Sequence, residues 1–379
     1  MAATTYPNYS PGLEGVIAGI SKICDIDSDK SLLIYRGYNV QDLAEYGSFE
    51  ETAYLLLHGD LPTAAQLETF KETLRGERGV PSEIYTVLRA MPRDTHPMDL
   101  AKVAFAALAP HDPDYTNGDH DANVRKATRI VAKAPSLVAA AHRIRTGKDP
   151  IEPSSSLGHA ANFLYMMEGS EPDDYTAKVM DASLTLYAEH GFNASTFACR
   201  VTVATLSDLY SGIVSGIGTL KGPLHGGANE EAMRMLIEIG DPANAEHWIR
   251  DALAQKKKVM GFGHREYKKG DSRAMYLTRI AKDIGQRKGN TKWGEVADIL
   301  ERVMLDEKNL HPNVDFPAAY AYYLLGIPID LYTPIFVIAR VSGWSAHAIE
   351  QLDNNRLIRP TCIYEGSGLR DWVALGDRN

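Results

Sequence analysis

Apolar residues recur at three- and four-residue spacings along much of the chain, in stretches rich in Ala, Leu and Met at 101–108, 124–144, 160–167, 177–188 and 197–210. That period places one apolar stripe on each segment and predicts helices there. The punctuation agrees. Asn229 is expected to cap a helix opening with Glu230-Glu231, whose charges favour the positive helix end, and Gly240 with Pro242 is expected to stop it after Ile239. Only Ser31-Leu32-Leu33-Ile34-Tyr35-Arg36-Gly37 has the composition of a strand. The pattern predicts an all-α, multi-helical fold with no fixed-period repeat and no low-complexity linker. Glycine-rich breaks at 215–227 and at Gly326-Ile327-Pro328 would set off a middle lobe able to rotate over a ligand.

Length and charge narrow the function. A chain of 379 residues, 44% of them apolar, can bury a large core and has room for two lobes. No stretch approaches the run of about 18 apolar residues that a membrane span needs, and the first residues lack a basic-then-apolar leader, so a cytoplasmic location without membrane contact is expected. A net charge of -9 argues against nucleic acid as a partner. Against that acidic background Lys256, Lys257, Lys258, Arg265, Lys268, Lys269 and Arg273 gather around His264, which points to an anionic small molecule. Cys24, Cys199 and Cys362 form no Cys-x-x-Cys pair and are expected to be buried as small apolar residues.

Two glycine turns carry histidines: Gly222-Pro223-Leu224-His225-Gly226-Gly227 and Gly261-Phe262-Gly263-His264-Arg265. Flanking glycines remove side-chain bulk, so backbone and imidazole can both approach a ligand. Asp315-Phe316-Pro317 opens a helix downstream, and two histidines with one carboxylate suggest proton management at a carbon or acyl centre. Other chemistries lack a handle. The run from Gly216 to Gly222 has one residue too many for a dinucleotide fingerprint and no strand before it, and there is no Gly-x-Ser-x-Gly elbow, P-loop or His-Glu-x-x-His. A metal triad of the same three residues lacks close ligand pairing, so no metal is expected.

Taken together, Tyr35-Arg36-Gly37-Tyr38, the His225 turn continuing into Ala228-Asn229-Glu230, the His264 turn, Pro312-Asn313-Val314-Asp315 and Asn355-Arg356-Leu357-Ile358-Arg359-Pro360 resemble citrate synthase of the short prokaryotic type. The resemblance implies a two-domain helical fold, with 1–221 and 321–379 as a large dimerising domain and 222–320 as a small mobile one. It also implies condensation of acetyl-CoA with oxaloacetate, the entry step of the tricarboxylic acid cycle, with coenzyme A thioester as substrate and no tightly bound cofactor. Asp315 would be the base, kept ionised by the helix dipole; His225 would donate to the thioester oxygen as a neutral electrophile; His264 would polarise the ketone. His190, Arg273, Arg340 and Arg359 would grip the substrate carboxylates, Arg359 from the partner of a homodimer with shared sites, itself compatible with higher oligomers. Arg265 and Lys268, then Lys256 and Lys258, would meet the coenzyme A phosphates. Ser272 stands where the family usually has proline, which is expected to loosen the Arg273 backbone. Two alternatives stay open: a 2-methylcitrate synthase using propionyl-CoA, and a non-catalytic acyl-CoA-binding or assembly protein on the same scaffold.

Overall fold

The computed structural model describes residues 6, 9–264, 266–267 and 269–378. Among them are sixteen α-helices and one small antiparallel sheet, so the fold is all-α. The architecture turns on the helix Tyr332–Asp353, which is buried along nearly its whole length. Around it pack Phe49–His58, Pro97–Leu108, His120–Arg145, Asp174–Tyr187, Ala194–Val203 and Leu209–Leu220. Close approach requires glycine at two places. A Cβ on Gly216 would lie 2.9 Å from the Trp344 ring, and one on Gly343 would lie 2.4 Å from the Ala188 carbonyl. The first of these glycines opens the dinucleotide-like run, five of whose residues thus belong to the end of a packed helix.

A second group, Ala228–Ile239, Pro242–Ala254, Ser272–Arg287, Lys292–Lys308 and Asp315–Leu324, packs mainly against itself. It touches the rest where Ser272–Arg287 meets the helix Val40–Tyr46 and where Ala228–Ile239 meets Tyr332–Asp353. The division at 320/321 expected from sequence falls inside Asp315–Leu324, whose chain turns only at Gly326, at φ 84°. No helix among the described residues is long and apolar enough to cross a membrane.

Local chemistry explains where several expectations shift. The stretch 197–210 is not one helix: Ala194–Val203 ends, Leu206 turns left-handed at φ 65°, and Asp208 starts Leu209–Leu220 by accepting the Ser211 N–H at 2.9 Å. The capping carboxylate outcompetes continuation of the apolar stripe. Asn229 is not the cap it was expected to be. Gly227 occupies that position, and Asn229 lies inside the first turn with its Oδ1 on the Glu230 N–H at 2.7 Å. The expected strand forms as Leu32–Tyr35, flanked by Cys24–Asp27 and Tyr38–Asn39, which lacked the apolar run that would have revealed them. Of the cysteines only Cys199 is buried; Cys24 is half-buried and Cys362 exposed, contrary to the expectation for all three.

Gly343 gives this packing a direct test. Gly343→Ala would bring its Cβ to 2.2 Å from Glu189 Oε2, so despite the gain in helix propensity the variant is expected to lose about 1–3 kcal/mol in denaturant unfolding. Unchanged stability would show that this helix contact is loose.

Candidate active site

A two-residue-wide ladder brings the His264 turn to the Asp315 helix. Gly263 N–H donates to the His311 carbonyl and Asn313 N–H to the Gly261 carbonyl, each at 2.9 Å, with Phe262 opposite Pro312. Asn313 locks the pair, donating from Nδ2 to the Gly263 carbonyl at 3.1 Å and accepting the Asp315 N–H at 3.1 Å. Glycine is required at 261 twice over: φ is 83°, and a Cβ would lie 2.7 Å from that of Phe316.

The imidazoles have fixed tautomers. His264 Nδ1 accepts the N–H groups of Glu266 at 3.0 Å and Tyr267 at 3.3 Å, which leaves the ring proton on Nε2. The Ser195 N–H donates to His225 Nε2 at 3.3 Å, which leaves that ring proton on Nδ1; Ser195 Oγ lies 2.8 Å from the same nitrogen and donates its own hydrogen to Asn193 Oδ1 at 2.8 Å. Ser195 is itself held by the Trp344 indole N–H at 3.1 Å. Burial, reinforced by Arg273 for His264 and by Arg340 for His225, drops both pKa values to about 4. Both rings are therefore neutral hydrogen-bond donors at neutral pH.

Cations line the same space. Arg273 forks onto Asp271, Nε to Oδ1 at 3.0 Å and Nη2 to Oδ2 at 2.8 Å, in an almost fully buried pair. Asp271 also accepts the Arg273 N–H at 3.0 Å and the Val314 N–H at 3.2 Å. That second hold keeps the Arg273 backbone in place with Ser272 at the first helical position, where the N–H has no intrahelical role. Arg340 donates from Nε to the Tyr187 carbonyl at 2.8 Å, while its Nη1 and the Nε2 of His190 are buried without a hydrogen-bond partner. The His190 ring stands 5.0 Å from that of His264, and burial with Arg273, His264, Arg340 and His225 holds its pKa well below the usual value. Buried polar nitrogens left unpaired in this way are suited to anionic oxygens brought by a ligand.

Asp315 departs from expectation. It does open its helix, and Tyr187 donates to its Oδ1 at 3.1 Å, yet burial outweighs this hydrogen bond and the charges of Arg273 and Arg340, raising its pKa to about 7. The carboxyl is poised between its two forms rather than held ionised.

His190, His225, His264, Arg273, Arg340 and Asp315 are thus brought together, as their mutual electrostatic effects record. Arg359 is not joined to them within this chain; it stands exposed in the extended C-terminal segment, with Nη1 3.3 Å from the Pro360 carbonyl. Lys256 and Lys258 are exposed beyond the helix Pro242–Ala254, and Arg265 and Lys268 lie outside the described residues. Sequence reasoning missed Tyr187, Ser195, Trp344 and Asp271. Only Asp271 left a signal, being an acid two positions before the arginine it holds. Among the described residues no group of three or more His, Cys, Asp or Glu is placed to hold a metal ion.

The chain matches the family described as citrate synthase, C-terminal domain, over residues 12–361. The chain belongs to the citrate synthase family. It is an enzyme of that family's acyltransferase class. It is 48% identical over 368 residues to citrate synthase 2 of Bacillus subtilis, covering 97% of this chain and 98% of the relative. It is also 46% identical to a 2-methylcitrate synthase of Mycobacterium tuberculosis, covering 95% and 91%. A solved citrate synthase of Thermoplasma acidophilum, in ternary complex with carboxymethyl coenzyme A and oxaloacetate, superposes with a TM-score of 0.93 at 34% identity, covering 98% of this chain and 100% of that one. The family resemblance carried by the motifs therefore holds along nearly the whole chain.

The poised carboxyl predicts a pH dependence of stability. Because the folded pKa of Asp315 is raised, the fold favours its protonated form and loses stability as pH climbs from the ordinary carboxyl range through about 7. Asp315→Asn is expected to match the parent in denaturant unfolding near pH 4 and to become progressively the more stable of the two up to pH 8. A difference independent of pH would contradict the buried-carboxyl assignment.

Proposed function

We propose that this chain condenses acetyl-CoA with oxaloacetate and hydrolyses the resulting citryl thioester to citrate and free coenzyme A, at the entry of the tricarboxylic acid cycle. The observation that carries this reading is the pairing of a carboxyl of pKa about 7 with two buried, neutral imidazoles whose N–H positions are fixed in opposite senses. Asp315 in its ionised form removes a methyl proton from the thioester. His225 donates through Nδ1–H to the thioester oxygen as the enol forms, and His264 donates through Nε2–H to the ketone oxygen as charge develops there. Each donor is neutral beforehand, so neither has to lose a hydration shell as a cation.

Arg273, Arg340 and His190 receive the oxaloacetate carboxylates, with Arg359 supplied by the second subunit of a cytoplasmic homodimer. Lys256, Lys258, Arg265 and Lys268 meet the phosphates of coenzyme A, and the lobe around 222–320 closes to keep water from the thioester until condensation is complete. Propionyl-CoA is the second reading, favoured by the 46% identity to a 2-methylcitrate synthase. One methylene separates the two acyl groups, a difference of about 1–3 kcal/mol in a pocket.

A thiol-release assay with oxaloacetate and either acyl-CoA tests the reading, which expects the larger kcat/KM for acetyl-CoA. Asp315→Ala is expected to lower kcat by about 10² to 10⁴, and His225→Ala or His264→Ala by about 10² to 10³, with oxaloacetate binding nearly kept in the first variant. A preference for propionyl-CoA would select the second reading, and no thiol release with either would remove both.

A further inference from the structure

The turn that carries His190 is held from one side by a single helix face. Arg340, Gly343 and His347 are spaced so that they share a face of Tyr332–Asp353. Each meets the chain between Tyr187 and Glu189. Arg340 donates to the Tyr187 carbonyl at 2.8 Å, Gly343 leaves room for the Ala188 carbonyl and the Glu189 carboxylate, and His347 Nε2 lies 2.9 Å from Glu189 Oε1. On the opposite side the Tyr35 hydroxyl is 2.8 Å from the Glu189 carbonyl and 3.2 Å from its N–H.

The proton on His347 has a defined place. Arg200 Nη1 shares its two hydrogens among Nδ1 at 3.1 Å, the His347 carbonyl at 3.2 Å and Glu350 Oε2 at 2.8 Å; a guanidinium nitrogen cannot accept, so Nδ1 carries no hydrogen and Nε2 donates to Glu189. Glu350 is anchored in turn by the Lys22 N–H at 2.8 Å. His347 and Glu189 are both fully buried. Glu189 Oε2 has no hydrogen-bond partner, and its charge is the foremost one sustaining the protonated Arg340 guanidinium. A buried carboxylate held at one oxygen and free at the other serves as a fixed counter-charge.

We propose that His347 is a positioning residue for the substrate clamp, acting through Glu189 to fix the His190 turn and the Arg340 guanidinium without itself touching substrate. This rests on the reading of His190 and Arg340 as oxaloacetate ligands. It assigns His347 a role in oxaloacetate affinity and none in the proton transfers.

The test compares His347→Leu, which removes the donor, with His347→Gln, whose amide can still donate to Glu189. His347→Leu is expected to raise the oxaloacetate KM by about 10- to 100-fold while kcat at saturating oxaloacetate stays within about 3-fold and the acyl-CoA KM is unchanged. His347→Gln is expected to recover most of that affinity. An unaltered oxaloacetate KM in the leucine variant, or equal damage in both, would overturn the proposal. Should the leucine variant not fold, nitrogen-15 spectra of the histidines in the unmodified protein decide: a hydrogen on Nε2 of His347 is expected, and a tautomer with its hydrogen on Nδ1 alone would refute it. If the unmodified protein releases no thiol with either acyl-CoA, the functional reading fails, while oxaloacetate binding by calorimetry in the two variants still reports on His347.

Discussion

The buried carboxylate of Asp271 is the constraint on which the site depends. It caps Ser272–Arg287, forks onto the Arg273 guanidinium and accepts the Val314 N–H, one residue before Asp315. One side chain therefore fixes a cation and the start of the helix that carries the candidate base. Removing it would leave Arg273 charged and unpaired in a dry interior, a loss of about 3–5 kcal/mol. The ladder between 261–263 and 311–313 adds the second coordinate, because it sets the His264 turn against the same helix start. Ser272 contributes its carbonyl, which Gln41 Nε2 meets at 2.9 Å, tying the group of helices from 228 to 324 to the body of the protein.

Burial then sets the chemistry. The desolvation that neutralises His225 and His264 also lifts Asp315, so the histidines are donors without charge and the carboxyl is close to half-ionised near neutrality. Arg273 and Arg340 pull in the opposite direction on Asp315 but do not cancel the effect. The arrangement suits a reaction in which a weakly acidic carbon gives up a proton while negative charge accumulates on two carbonyl oxygens, because an ionisable base and two neutral donors coexist at one pH.

Much of this was legible in the chain. Periodic apolar stripes marked helices that bury one face, and glycine-flanked histidines marked turns that a ligand can approach. Tyr332–Asp353 showed no stripe because it is buried on all sides, so Arg340 was reached only through the family resemblance and His347 not at all. The break at Leu206 depended on a local cap from Asp208 that periodicity does not register. The charge state of Asp315 was misread for a different reason: its position at a helix start is local, whereas its desolvation by the surrounding helices is a property of the assembled fold. The reach of Arg359 depends on a second chain, which a one-chain pattern does not contain.

The central claim is that burial poises Asp315 as the base while the histidines stay neutral. The pH dependence of kcat/KM in the unmodified protein reads this directly, since it reports groups that titrate in the free enzyme. The account predicts an acid limb with an apparent pKa of about 7 and no further inflection from His225 or His264 until about 4. A profile flat from pH 5 to 8, or a limb of opposite sign in which activity falls as pH rises through 7, would contradict it.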